Sequence, residues 1–443
     1  MSSVRQIWLQ VRSSLWFLPS LIISGSMAAA ILLIERTGDI GDDLVRRWPR
    51  VFGAGADGSR EMLAAIATSM ITVAGVVFSI TIVALSLASS QYSPRLLRNF
   101  MRDKPTQLVL GIFVGNFVYC LLVLRTVRGG DEAFIPSLAV LVGMAYAFVA
   151  ISLLIYFIHH VAQSIQASSI VSRIFDDAAA SIDEMFPEMM GTDAPEAPLD
   201  SMELPAQWTP VRADRKGYVT SIGAEPLMEF AVQTGRIVRL KAGVGDFVAV
   251  GTVLAELSGS GAQDDAQTER LRRMVALNGQ RTPEQDPAFG IQQLVDVAVK
   301  ALSPGINDPT TACMCVDQLG ALVLRLSERC IPSSYRKDDG VLRVITPKPT
   351  YRSLVVLAFS AIVNHARGDA QVLHRVLQQV EAAAACVKDP QRRRTLALVA
   401  RATERALRSE RTLEARLARA RARRLGSSLR RAQPPHPSMG GVS

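Results

Sequence analysis

Hydroxyl-bearing and small side chains recur along one side of an apolar stretch in the first quarter of this 443-residue chain. Their spacings of 4, 3, 4, 7 and 4 residues place them on one face of an α-helix. Hydroxyl oxygens can replace part of an ion's hydration shell, as in the wall of a permeation path. Small residues also let two membrane helices approach closely, as in a packing seam. Both interpretations stay open for this hydroxyl stripe, which comprises Thr68, Thr72, Gly75, Ser79, Ser86 and Ser90.

A basic segment, SQYSPRLLRNF, follows the stripe directly. Pro94 is expected to end the helix, since a proline in a helix interior removes a backbone hydrogen bond. Arg95 and Arg98 then lie where lipid phosphates are found, or where anions would enter a vestibule. They are the candidate vestibule or lipid-phosphate residues.

A third candidate is the string ALSPGINDPTTA at residues 301–312, which lies between two apolar runs with helical spacing. Pro304 biases the preceding residue away from helical dihedral angles. An aspartate followed by a proline, as at Asp308, is a strong signal for a helix start. The string therefore predicts mainly a corner between two helices. A ligand or subunit contact at the second helix start is the alternative, with candidates Ser303, Asn307, Asp308, Thr310 and Thr311.

Signatures of common enzymes do not occur in the sequence. It contains no GxxxxGK[ST] phosphate loop, no HExxH, no GxSxG and no Cys/His cluster with zinc spacing. We therefore expect no catalytic residues, no metal and no cofactor, and a protein that is not an enzyme. The histidines are expected to be packing or interfacial groups. The five cysteines show no disulfide spacing and are expected to be buried thiols in a reducing compartment.

The elements that carry these residues begin with four long apolar stretches. They lie at about residues 16–34, 63–89, 108–124 and 135–158, and the mean hydropathy of the chain is +0.21. Each stretch is long enough and poor enough in charge to cross a bilayer. Residues 1–159 are therefore predicted to be a transmembrane domain.

Short-loop arginines and lysines predict the orientation of these spans. Arg5 and Arg12 precede the first span without any acid, and four basic residues follow the second span against Asp103 alone. Positively charged loops stay in the cytoplasm. The prediction is a multi-pass protein of the inner (plasma) membrane with both termini in the cytoplasm. No span carries an acid or lysine at mid-depth, which argues against a proton-coupled carboxylate relay.

The remainder of the chain predicts a cytosolic α+β region. A helical stalk is expected over 160–186, with an apolar stripe through Ile165, Ile170, Ile174, Ala178, Ile182 and Met185, and a linker over 187–215. Residues 216–258 resemble a barrel-sandwich, lipoyl-like half-motif. A helix-like LMEFA occupies the place of its attachment lysine, so no lipoyl or biotin is expected. A helical domain over 267–425 and a disordered tail over 426–443 complete this fold class of membrane α-helices plus a cytosolic α+β region.

The basic charge of the protein is concentrated near its end. Residues 391–431 hold fourteen arginines against three glutamates, with Leu396, Val399, Leu407, Leu413 and Leu417 on a ragged apolar face. Nucleic acid and acidic faces of sister subunits are conceivable partners. A chain tethered below a membrane favours anionic lipid, because basic residues near such a surface are attracted to it. Anionic membrane lipid is therefore the expected partner, and no nucleic acid is expected.

Several of these strings together resemble a widespread bacterial family of predicted membrane proteins, domain of unknown function 2254. They are GVVFSITIVALSLASSQYSPRLLRNF, GYVTSI, VGDFVAVGTVLAEL, QDPAFGIQQLVDVAVKALSPGINDPTTA and AFSAIVNHA. The resemblance covers about residues 10–405, and ALSPGINDPTTA is its most specific string. It implies a four-span N-terminal region and a cytosolic C-terminal region. It implies no activity.

Two functions fit these observations. The first is a homo-oligomeric, channel-like permeation protein, since four spans need symmetric partners to enclose a polar path. The alternative is a non-conducting membrane scaffold or sensor that organises partners through its cytosolic domain.

Overall fold

A computed structural model describes residues 16–47, 55–91, 103–129, 134–185, 192–193, 204–259, 264–283, 285–329 and 331–431. The chain forms two compact units that divide between residues 169 and 170.

The described residues of the first unit form four long apolar helices. They are α1 (Phe17–Arg47), α2 (Ala56–Gln91), α3 (Lys104–Thr126) and α4 (Ser137–Ser164). Each is long and apolar enough to cross a membrane, which confirms the four predicted spans. The helices extend beyond the predicted spans because hydropathy marks the apolar part of a helix and not its polar ends.

Helix α3 is the centre of this bundle and packs against α1, α2 and α4. Asp103 caps its first turn, accepting hydrogen bonds from the Thr106 amide at 3.2 Å and the Thr106 hydroxyl at 2.6 Å. Phe113, Tyr119 and Val123 are fully buried among the neighbouring helices. Because α3 is surrounded, its side chains determine how closely the other three helices approach.

The predicted stalk over 160–186 is interrupted in the structure. Helix α4 ends at Ser164, and a separate helix α5 (Ala167–Met185) follows after one turn. The amide of Gln166 bonds the carbonyl of Gln163, a three-residue spacing that tightens the last turn and ends the helix. The predicted apolar stripe is confirmed where α5 buries Ile170, Ile174, Ala178 and Ile182.

Within the described residues of the second unit, nine strands form two sheets, with a short helix α6 (Ala224–Thr234) between the third and fourth strands. The first four strands are β1 (Thr192–Asp193), β2 (Trp208–Arg212), β3 (Gly217–Ile222) and β4 (Val238–Leu240). The others are β5 (Phe247–Val248), β6 (Val253–Ser258), β7 (Val275–Asn278), β8 (Tyr335–Asp338) and β9 (Val341–Ile345). The six-stranded sheet has the order β1-β8-β9-β4-β6-β2, and the three-stranded sheet has the order β5-β3-β7. All pairs are antiparallel except β4 with β9.

The barrel-sandwich detail predicted for 216–258 is not confirmed. Strands β3 and β5 of that segment belong to one sheet, while β4 and β6 belong to the other. Each sheet is completed from outside the segment, by β7 in one case and by β2 and β9 in the other. Both sheets enclose one apolar core that includes Val219, Leu227, Phe230, Leu254 and Val344.

Two local predictions in this unit are wrong. The helical domain predicted over 267–425 includes the segment TERLRRMVALN, but α7 (Asp265–Met274) ends before VALN, which forms strand β7. The strand begins at the β-branched Val275, and its backbone pairs with β3, a partner that a local helical pattern does not reveal. The predicted linker over 187–215 likewise contains strands β1 and β2.

Six further helices of the second unit lie among the described residues that follow α7. They are α8 (Pro287–Ala301), α9 (Pro309–Glu328), α10 (Tyr351–His365), α11 (Ala370–Cys386), α12 (Pro390–Ala406) and α13 (Leu413–Arg431). Helix α13 continues through residues 426–431, where the sequence predicted disorder; residues 432–443 lie outside the described part of the chain. Helix α9 packs against α8 and α11, and α13 packs against α11 and α12.

Candidate functional site

The hydroxyl stripe lies on the outer face of α2. Thr68, Thr72, Gly75, Ser79 and Ser86 are all exposed, while the side chain of Ser90 lies outside the described residues. The opposite face of the helix is buried in the bundle and consists of Leu63, Ala67, Met70, Ala74 and Val77. The stripe is therefore not the face through which α2 packs on its own chain.

Local hydrogen bonds and open space confirm that the stripe has no packing partner within the described part of the chain. The hydroxyl of Thr72 donates to the carbonyl of Thr68 at 2.8 Å, which satisfies it inside the helix. A Cβ built on Gly75 meets no atom within 4 Å. These groups are available to lipid, to water or to a second protein surface.

The close-packed seam of the bundle lies instead on α3, at a Gly-x-x-x-Gly pair that the sequence analysis missed. A Cβ on Gly111 would lie 2.9 Å from the Cα of Pro19 on α1. A Cβ on Gly115 would lie 2.7 Å from the Ser26 hydroxyl and 2.8 Å from the Tyr146 hydroxyl. Glycines with this spacing are the usual signal for close helix contact in membranes and could have identified the seam.

Polar groups cluster beside this seam. The hydroxyls of Ser26 on α1 and Tyr146 on α4 lie 3.0 Å apart, and Tyr119 donates to the carbonyl of Ala139 at 2.8 Å. Asn116 of α3 accepts a bond from the Cys120 thiol one turn away, and its amide nitrogen has no hydrogen-bond partner among the described residues.

The candidate vestibule residues Arg95 and Arg98 lie outside the described residues. The neighbouring residues contain a contact between Asp103 and His160 that the sequence does not predict. Asp103, at the start of α3, lies 2.9 Å from the ring nitrogen Nε2 of His160, near the end of α4. Tyr156 stacks on the same imidazole with ring centroids 5.8 Å apart. His160 is thus an interfacial packing group that links two spans, as expected for a histidine there.

The string ALSPGINDPTTA forms a corner between two helices. Helix α8 ends at Ala301 and α9 begins at Pro309, with Asp308 as the cap whose carboxylate accepts from the Thr311 amide at 3.1 Å. The Ser303 hydroxyl donates to the Lys300 carbonyl, and Asn307 adopts a left-handed backbone conformation with φ of 49°. The predicted helix stop, turn and helix start are therefore confirmed.

The cap also determines the charge state of the corner. Bonds from the Thr311 hydroxyl and from the Thr311 and Thr310 amides favour the carboxylate, so the pKa of Asp308 lies below its usual range. Thr311 is buried, while Asn307 and Thr310 are exposed. Of the five candidates at this corner, only Asn307 and Thr310 present polar side chains that form no hydrogen bond within the described residues.

A second aspartate-proline start, at Asp286, is enclosed by the protein. Arg281 lies 2.7 Å from its carboxylate, and the Phe289 amide donates to it at 3.0 Å. Gly245, in the turn before β5, approaches so closely that a Cβ would lie 2.7 Å from the carboxylate. Burial raises the pKa of Asp286 and outweighs the opposing effects of Arg281 and Phe289.

The cysteines that the structure describes differ in burial. Cys313 and Cys315 are buried, as is Cys120, whereas Cys386 is exposed, contrary to expectation. Burial raises the pKa of Cys315 to about 12, so the thiol stays protonated and weakly reactive. The described residues contain no group of three potential metal ligands.

Residues 12–382 match the family described as "Predicted membrane protein (DUF2254)". The chain belongs to this family. It is similar to Uncharacterized protein MT1328 of Mycobacterium tuberculosis, with 34% identity over 414 residues that cover 89% of this chain and 77% of that protein. Uncharacterized protein Mb1321c of Mycobacterium bovis shows the same identity and coverage. No solved structure matches the chain.

This DUF2254 protein continues past the matched region with α12, α13 and the turn between them. The apolar face predicted over 391–431 is divided in the structure: Leu396, Val399 and Leu407 are buried, while Leu413 and Leu417 are exposed. The buried three contribute to the core of the second unit and are not available to lipid. This corrects the prediction that all five form one surface.

The arginines of this region are divided in the same way. Arg392 donates to the carbonyls of Leu326, Ser327 and Arg329 at 2.9–3.2 Å, which caps the end of α9. Three further arginines bond partners within the chain: Arg419 to the Glu410 carbonyl, Arg421 to Glu381 and Arg423 to Glu404. These four arginines are thus held by groups of the same chain.

Proposed function

We propose that this membrane protein assembles as a homo-oligomer in the inner membrane, with both termini in the cytoplasm, and that α2 lines a permeation path between subunits. The observation that carries the proposal is the position of the hydroxyl stripe opposite the packed face of α2. Contact with lipid does not require five aligned small or hydroxyl-bearing residues. Contact with a symmetric subunit, or with a hydrated axis, does favour them.

The lack of charge at mid-depth indicates what such a path would do. In the described spans, acids, lysines and arginines occur only near the helix ends, as with Arg60 and Glu61 on α2 and Arg125 on α3. A wall of hydroxyls without carboxylates suits passive conduction, since coupled transport uses ionisable groups within the membrane. The protein is accordingly proposed to be a channel-like protein and not an enzyme.

The test is conductance of the purified protein in planar bilayers, together with its mass in native membranes or nanodiscs. Ser79→Leu, in the middle of the stripe, is expected to reduce conductance strongly by placing an isobutyl group on the path. The matched control is Phe78→Leu, which changes an exposed residue at the same depth but about 100° around the helix. A monomeric mass, or equal conductance for both variants, would contradict the proposal.

A non-conducting scaffold is the second candidate, and the bonding of Thr72 favours it. Its hydroxyl is satisfied by the Thr68 carbonyl, so the stripe can serve as a contact between subunits without any hydrated path. This function gives an oligomer that remains silent in bilayers, and the Ser79→Leu substitution would then dissociate it. Measuring mass and conductance on the same preparation separates the two candidates.

A further inference from the structure

The outward face of α13 presents apolar and basic side chains together. Leu413 and Leu417 are one turn apart and are 71% and 62% exposed. Arg416 and Arg424 lie on the same side of the helix by its 3.6-residue period. The inward face consists of Ala415, Ala418, Ala422, Leu425 and Leu429, all buried against the chain. Helix α13 therefore uses one apolar face for its own fold and carries a second, smaller one outside.

The arginines of this outward face are not paired with acids. Arg416 and Arg424 on α13, and Arg408 and Arg411 in the turn before it, are exposed, and their side chains form no ion pair or hydrogen bond within the described residues. The paired arginines Arg419, Arg421 and Arg423 lie toward the flank, where their partners are. The nearest acid on the helix, Glu414, lies on the side of His374, whose pKa it affects. The outward face thus carries an uncompensated positive charge.

We propose that this face of α13, defined by Leu413, Arg416, Leu417 and Arg424 and extended by the exposed Arg408 and Arg411 of the turn before the helix, docks on the anionic lipid surface of the membrane that holds the four spans. Leucines flanked by arginines on one exposed helix face match the boundary between acyl chains and acidic headgroups. The same chain supplies the anchor, so the face needs only a weak affinity to stay bound. This inference does not depend on conduction and goes beyond the proposed function.

Charge complementarity favours lipid over a second copy of this chain. A symmetric contact through this face would bring four unpaired arginines against four others, which is repulsive. Residues 432–443 of the sequence contain no acid that could neutralise these arginines. An anionic bilayer supplies the missing charge at a high local density.

Hydrogen–deuterium exchange of the full-length protein in nanodiscs tests the proposal. Amides of residues 413–424 are expected to exchange more slowly in discs containing phosphatidylglycerol than in discs of phosphatidylcholine alone. Each basic residue near an anionic surface changes binding roughly fivefold, so Arg416→Gln with Arg424→Gln should weaken docking roughly 30-fold and remove the difference. Leu413→Ser with Leu417→Ser should do the same.

The matched control is Arg215→Gln with Lys216→Gln, which removes two positive charges from the exposed turn before β3. The control protein is expected to keep the lipid-dependent protection. Unchanged exchange in α12 shows that each variant is folded. Equal exchange in both kinds of disc would overturn the proposal. So would protection that depends on protein concentration, which indicates a second copy, or protection gained only on adding RNA.

Discussion

Helices α2 and α3 both carry a line of small residues, but the two lines have opposite positions. Gly111 and Gly115 of α3 face the centre of the bundle, where added side-chain atoms would lie within 3 Å of α1. Gly75 of α2 faces outward, with no atom within 4 Å of its Cβ position. Small residues thus make a close contact within the chain on α3, while on α2 they leave the outer face without a contact among the described residues.

This difference separates the residues that make the fold from those that are left for other contacts. A pattern of small residues predicts close approach of a second surface but does not identify that surface. In α3 the surface is α1 of the same chain. In α2 no such surface exists among the described residues, which is why the outward stripe supports a proposal and the inward seam does not.

The largest expected effect comes from filling the two glycine positions with the same side chain. Gly111→Leu must displace the backbone of α1 at Pro19 and is expected to cost roughly 3 kcal/mol of bundle stability. Gly75→Leu has open space and replaces a poor helix former, so the stability of the single chain should not fall. Reversible unfolding in mixed detergent micelles, followed by circular dichroism, measures both.

A similar loss of stability in both variants would contradict the comparison. It would mean that α2 has an intrachain partner on its outer face. The oligomeric state should show the reverse contrast. Gly75→Leu should change it, because this variant alters the stripe, while Gly111→Leu should not, because it alters only the interior. Native mass spectrometry of the two variants tests this second contrast.

The sequence predicts the features that depend on local patterns. The four spans follow from runs of apolar residues, and the corner at Asp308 follows from an aspartate-proline start, since capping is decided within one turn. Partners distant in sequence are not predicted in this way. Strand β7 exists because β3 lies beside it, and the bond between Ser26 and Tyr146 joins residues 120 positions apart.

The candidate sites show the same limit. The spacing of Thr68, Thr72 and Ser79 correctly predicts one shared helix face, but only the fold shows that this face points outward. Leu396 and Leu417 looked equivalent in sequence and lie in a core and on a surface, respectively. Hydropathy alone cannot make this distinction, because both are leucines one or two residues from arginines.

The corner at residues 301–312 extends the comparison to the second unit. Asp308 is used by the fold and Thr310 is left exposed, so their substitutions should differ. Asp308→Ala is expected to cost about 1 kcal/mol through loss of the cap, while Thr310→Ala should stay within about 0.5 kcal/mol. Chemical unfolding of the full chain measures both. A loss of conductance without loss of stability in Thr310→Ala would make the corner a functional contact.

The cap also predicts a pH dependence with a definite sign. The pKa of Asp308 is lower in the folded protein than in the unfolded chain, so the unfolded chain binds the proton more readily. The contribution of the cap is therefore complete above about pH 4 and is lost as pH falls through the folded pKa. The stability gap between wild type and Asp308→Asn should shrink over that acidic range. A constant gap would show that the charge is irrelevant.

A smaller effect is expected from the polar contact beside the inward seam. Ser26→Ala and Tyr146→Phe each remove one hydroxyl of a 3.0 Å pair. Such bonds between membrane helices contribute about 0.6 kcal/mol on average. A double-mutant cycle should return a coupling energy of that size. A coupling energy near zero would mean that close packing at Gly115, and not this hydrogen bond, stabilises the helix contact at the seam.

The smallest expected effect is that of Thr72→Ala on the single chain. Its hydroxyl bonds only the Thr68 carbonyl of its own helix, so unfolding of the monomer in detergent should change by less than about 0.5 kcal/mol. The association of subunits should weaken at the same time if the outward stripe joins them, which dilution of the oligomer in detergent would measure. Ser69→Ala is the matched control, because Ser69 makes the same kind of bond to Ala65 one position away from the stripe. If the monomer were destabilised as strongly as by a change at the inward seam, the outward stripe would already be occupied within the chain. A neutral monomer with a weakened oligomer is the result that only an unoccupied, partner-facing stripe gives.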